Sequence, residues 1–141
     1  MMKAEAISDY IKMYPQLYTW LYFNVVMEAP NEAALLTDSD NVLNEYIDGS
    51  KDREYLFSVA LMKSYDTGTS DLNMQAMKEV NNFIDWVKTN NDTGIYPDFG
   101  ENCDVESVEV LTDVPELATD SEQNIARYLI YMRIPYTERR I

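Results

Sequence analysis

The sequence predicts a single α+β domain spanning residues 1–141: one mixed or antiparallel β-sheet with two main helices packed on it, in the order α-β-β-β-α-β-β. Two stretches, 3–14 and 71–89, repeat apolar residues at helical spacing. A third, from Ala126 to Tyr136, alternates strictly, with Ala126, Tyr128, Ile130, Met132, Ile134 and Tyr136 on one face and Arg127, Leu129, Tyr131 and Arg133 on the other. The 141 residues suit one ordinary domain, and a chain of this size buries roughly 70% of its unfolded surface.

In the first helix, Ala4, Ile7, Tyr10, Ile11 and Tyr14 form the apolar stripe, and Pro15 ends it by disfavouring helix at the residue before. Leu17 to Met27 (LYTWLYFNVVM) is aromatic and β-branched and reads as a strand, broken at Pro30. A hairpin follows. The run VLNEYI leads to an Asp-Gly turn within Asp48–Asp52, then to the long run REYLFSVALMKSY, whose two faces are both largely apolar. Ser70 is placed to cap a helix from about Asp71 to Thr89, with Leu72, Met77, Val80, Ile84 and Val87 as its stripe and Met74, Phe83 and Trp86 flanking. Tyr96–Asp104 reads as a loop, Val105–Thr112 as a short strand with an acidic outer face, and 113–123 as a polar loop. Pro135, which has no N–H to donate, predicts that its end of the last strand lies at an edge or beyond its partner.

Charge is abundant and uneven. The net charge is −14, from 25 acids and 11 bases, the wrong sign for nonspecific phosphate binding. Residues 1–122 carry 24 acids and 7 bases, a net of −17, whereas residues 123–141 carry Glu138 against Arg127, Arg133, Arg139 and Arg140, a net of +3. An acidic body with a basic end is able to attract copies of itself, so these four arginines are the expected subunit interface; a solvated acidic surface with a basic last strand is the plainer reading. Eleven tyrosines and eight methionines suit either contact surfaces or the core.

The chemistry of an enzyme is hard to assemble here. The chain has no histidine, and its four glycines (Gly49, Gly68, Gly94, Gly100) are too scattered for a phosphate loop or dinucleotide fingerprint. Cys103 lies among Glu101, Asp104 and Glu106, which disfavour a thiolate. The acidic stretches at Asp38-Ser-Asp40 and Asn90-Asn-Asp92 lack the glycine and closing glutamate of a calcium loop. The expectation is no catalytic residue, no cofactor and no metal. A single cysteine offers no internal disulfide, the N-terminus shows no leader pattern, and no apolar run approaches the ~20 residues of a membrane span, so a cytosolic place of synthesis is expected.

The opening AISDYI before a proline stop, Asn24-Val25 after aromatic residues, YIDGSKDREYLFSVALMKSY, FIDWVKTNN, GIYPDFGEN and the closing ARYLIYMRIPYTE occur in an order and spacing that resembles the phage tail terminator and minor capsid (head–tail joining) proteins of Gram-positive prophages. The resemblance runs from residue 4 to residue 138. It implies an α+β, tail-terminator-like fold and a structural virion protein, assembled in the bacterial cytoplasm and located in the tail or neck. Such proteins form a homo-oligomeric ring, usually hexameric, that caps the tail tube and joins it to the connector or neck protein. DNA passes through without being bound specifically, and no membrane is involved. Two alternatives stay open: a head–tail joining or neck protein, and an acidic, DNA-mimicking inhibitor.

Overall fold

A computed structural model of the chain describes residues 2–15, 21–24, 32–64, 71–112, 116–120 and 124–140. The elements are α1 (Lys3–Lys12), β1 (Leu21–Phe23), β2 (Ala33–Glu45), β3 (Lys51–Ser64), α2 (Asp71–Thr93), β4 (Cys103–Val105), β5 (Glu109–Val110), β6 (Glu116–Asp120) and β7 (Ile125–Glu138). The α-β-β-β-α-β-β order holds, with the strand expected over Val105–Thr112 laid down as two short segments, β4 and β5, and with β6 in addition. The fold is α+β, and its sheet is mixed: β1 runs parallel to β2 and every other pairing is antiparallel.

β7 is a central strand. It pairs along its full length with β3, from Lys51↔Glu138 to Ser64↔Ile125, and its other side takes β6, β5 and β4 in turn. Pro135 therefore does not lie at an edge. It sits opposite Glu54, at the gap between β4 and β5 where no ladder N–H is asked of it, and its carbonyl accepts Glu106 N–H at 3.0 Å. The same gap explains why Val105–Thr112 is not one strand. Asn91, at the end of α2, takes both backbone groups of Val108: its Oδ1 accepts the N–H at 2.8 Å and its Nδ2 donates to the carbonyl. Val108 is thereby turned into the core, fully buried.

One face of the sheet carries the core. Ala126, Tyr128, Ile130, Met132, Ile134 and Tyr136 of β7, Phe57, Val59 and Leu61 of β3, and Ala33 and Leu35 of β2 pack under both helices. Each such large side chain contributes roughly 1.5–3 kcal/mol by leaving water. From α1 come Ala6, Ile7, Tyr10 and Ile11; from α2 come Ala76, Val80, Phe83, Ile84 and Val87. Phe83 is thus core rather than flank, and Met74 points to solvent at 69% exposure. The helices are joined by an aromatic cluster in which Tyr10 and Tyr14 lie 5.1 and 5.2 Å from Trp86, and Tyr14 meets Phe83 edge-on.

Several boundaries differ from expectation. α2 continues through Asn90–Thr93, because Asn90 and Asn91 are taken up by Tyr10 Oη and Val108, and it stops at Gly94, whose φ of +77° suits a left-handed helix end. β2 starts nine residues earlier than the run VLNEYI, its Ala33–Leu35 lying in the core. The 113–123 loop contains β6. Ser70, and Leu17–Met27 outside residues 21–24, lie outside the described residues.

Candidate functional site

The four arginines of the last strand and tail are not one patch. Arg133 sits on the sheet face away from the helices, where the ladder brings Glu54 of β3 and Glu109 of β5 to its two sides. Its Nε donates to Glu54 at 2.5 Å and its Nη1 to Glu109 at 2.7 Å, and these two bonds hold the guanidinium charged more firmly than usual. Arg139 bridges to Asp104 at 3.2 Å and also donates to the Glu101 carbonyl. Arg127 lies six residues before Arg133 along β7, half-buried, with its Nε unpartnered. Arg140 is exposed and lies against the β2–β3 turn.

Among the described residues that turn carries the most exposed apolar side chain, Ile47. Tyr46 N–H donates to the Ser50 carbonyl at 2.8 Å, Gly49 N–H donates to the Tyr46 carbonyl at 2.9 Å, and Asp48 accepts both the N–H and hydroxyl of Ser50. Gly49, at φ +90°, closes it; a Cβ there would stand 2.4 Å from Arg140 Cδ. The tight loop leaves Ile47 fully exposed at its tip, with Val42, Leu43 and Tyr46 each about half exposed below. Beside it opens a groove of about 640 Å³ between the turn, Phe99–Cys103 and the C-terminal tail. Lys51 and Arg140 line it, and neither takes part in an ion pair among the described residues.

Deeper in, a polar cluster fixes α1 to the sheet. Tyr136 Oη donates to Asp40 Oδ1 at 2.6 Å, and Asp40 is bridged by Arg53 and Lys3, each at 3.3 Å. Lys3 also lies 5.3 Å over the Tyr136 ring. Burial first, and the bond to Asp40 second, push the Tyr136 hydroxyl well above the ordinary tyrosine range. The Cys103 thiol, on the groove wall, is also pushed up; burial is the main cause, with opposing contributions from Lys3 and Glu138, not the sequence neighbours. Among the described residues, no three histidine, cysteine or carboxylate side chains converge as metal ligands.

Sequence reasoning picked out the arginines but missed Lys51 and the apolar turn. Tyr46 and Ile47 read as strand in the sequence because they extend an apolar run. The available signal was their position directly before Asp48-Gly49, inside the turn where neither side of a sheet covers them.

The chain matches no protein-family model and no curated protein. Among the described residues no helix is long and apolar enough to cross a membrane.

Proposed function

We propose that the chain is a structural virion protein of a phage or phage-tail-like particle, a tail terminator whose ring caps the tail tube and joins it to the head or neck. In this reading it is not an enzyme. The observation that carries it is the cluster of Ile47, Tyr46, Val42 and Leu43 on a protein of net charge −14. Isolated exposed leucines are ordinary, but four exposed apolar side chains within residues 42–47 are what a protein–protein contact covers. The α+β fold and the order of motifs from residue 4 to residue 138 agree with the resemblance to tail terminators. The acidic body suits a ring that lets DNA through, because carboxylates repel phosphates.

In this reading the four arginines serve the ring unequally. Arg133 and Arg139 are held by acids of their own chain and the Nε of Arg127 is buried, so the exposed Arg140 is the one placed to meet a neighbour. The test is cofractionation of the purified protein with tail tube protein, on a gradient that separates tubes from free subunits. Tubes capped at one end support the reading. Comigration with capsid or connector alone replaces it by a neck role. Tight one-to-one binding to a cationic partner, with no assembly, replaces it by the DNA-mimicking inhibitor.

A further inference from the structure

The outer side of β2 is open over most of its length. β1 pairs only with residues 33–35 of it, and Asn24, at a φ of +52°, ends that pairing: its N–H donates to the Leu35 carbonyl and its Oδ1 accepts the Thr37 N–H, both at 2.8 Å. From residue 38 to residue 45 no strand among the described residues lies outside β2, so its outward N–H and C=O groups have no ladder partner there. Residues 41–48 are exposed without a break, which bares both faces of the strand, and Val42 and Leu43 stand 49% and 47% exposed. The stretch 36–45 holds Asp38, Asp40 and Glu45 and no base. Asp40 is held by Lys3 and Arg53, whereas Asp38 and Glu45 are exposed and make no ion pair among the described residues. Lys51, opposite Glu45, and Arg140, against Gly49, lie at the far end, by the turn.

We infer that this edge takes a strand from another protein: an extended segment with β-branched residues at its centre and lysine or arginine at its ends. Strand addition satisfies the outward backbone groups and covers Val42 and Leu43 in one step. Charge selects the occupant. Basic ends meet the free carboxylates of Asp38 and Glu45, and the net charge of −14 draws such a segment in from a distance. A second copy would bring the same carboxylates to the contact. The shape of the edge selects in the same direction. The register with β3 shifts between Thr37 and Ser39 and again between Val42 and Asn44, and such bulges add twist to a strand. A flexible segment follows that twist, whereas the edge of a second folded sheet would have to match it. The inference goes beyond the ring reading, because each copy offers this edge whether or not copies close into a ring.

Peptide binding to the purified protein tests it, with a capped nine-residue probe of alternating valine and threonine that carries two lysines at each end. Two controls replace the lysines by glutamates or methylate every central N–H. Fluorescence anisotropy is expected to show the lysine peptide binding at least about tenfold, or roughly 1.4 kcal/mol, tighter than either control. Amide hydrogen exchange is expected to slow within residues 38–45 and to stay unchanged in β7. The double variant Asp38→Asn and Glu45→Gln, both exposed positions, is expected to keep the circular dichroism and to lose most of the preference for lysine over glutamate. No binding of the lysine peptide, equal binding of the methylated one, or protection that appears elsewhere overturns the proposal. Protection of residues 38–45 that rises with protein concentration in the absence of peptide assigns the edge to a second copy and overturns it as well. Each of these outcomes leaves the ring reading to its own test, since the peptide needs only the isolated chain.

Discussion

Tyr136 joins the core to a charge cluster that reaches α1, and its removal is informative because pH should change the outcome. Tyr136→Phe keeps the ring, which is 1% exposed and edge-on to Phe99, and deletes only the hydroxyl donated to Asp40. Asp40 keeps Arg53 and Lys3, so the loss near neutral pH is that of one charge-assisted hydrogen bond, about 1–2 kcal/mol. The folded protein holds Tyr136 neutral beyond the range in which the unfolded chain ionises it. A raised folded-state pKa gives stability that is complete below the unfolded value near 10 and is lost as pH rises above it. At pH 11 the unfolded tyrosine is mostly ionised, which removes about 1.4 kcal/mol from the wild type and nothing from the phenylalanine variant. The difference between the two should therefore shrink from about 1–2 kcal/mol at pH 7 to between about −0.4 and 0.6 kcal/mol at pH 11. Urea unfolding of both proteins at the two pH values measures it. An equal difference at both would refute the assignment of Tyr136 as a buried, neutral donor.

Other substitutions probe separate parts of the account. Phe83→Ala opens a cavity between α1, α2 and the sheet and should cost about 3–5 kcal/mol by chemical denaturation. Arg133→Ala should cost about 1–2 kcal/mol because it leaves Glu54 and Glu109 facing each other without their shared cation, and Arg133→Glu should cost more; the monomer's melting temperature reports this independently of assembly. Gly49→Ala meets both a φ of +90° and the Arg140 side chain, so it should lower stability by about 1–2 kcal/mol while displacing Arg140. A neutral result by thermal melting would contradict the turn geometry.

The fold was legible where one side of an element is buried against one partner. The periodicity of α1, of most of α2 and of β7 is the imprint of a single core face, and the structure places those residues in the core. Legibility failed where side chains substitute for backbone partners. Asn91 looks like a helix stop in sequence, yet by bonding Val108 it extends the helix and breaks the neighbouring strand. Pro135 looks like an edge residue, but a gap in the opposing strands accommodates it inside the sheet. β6 was hidden because a short, polar strand at a sheet margin buries too little to show alternation. For the site, composition gave the arginines and their sign. It could not give their partners, since Glu54 lies 79 residues from Arg133 in the chain. The exposed turn was hidden by its own hydrophobicity, which reads as strand until the fold shows that nothing covers it.

The central claim is that this chain functions by assembling with itself, and native mass in solution tests it most directly. Light scattering over a wide concentration range, at low and high salt, should show growth from monomer to a closed species of about six copies, weakened by salt because the attraction runs between an acidic body and a basic end. A strict monomer at every concentration, unchanged by salt and by added tail tube protein, would contradict it.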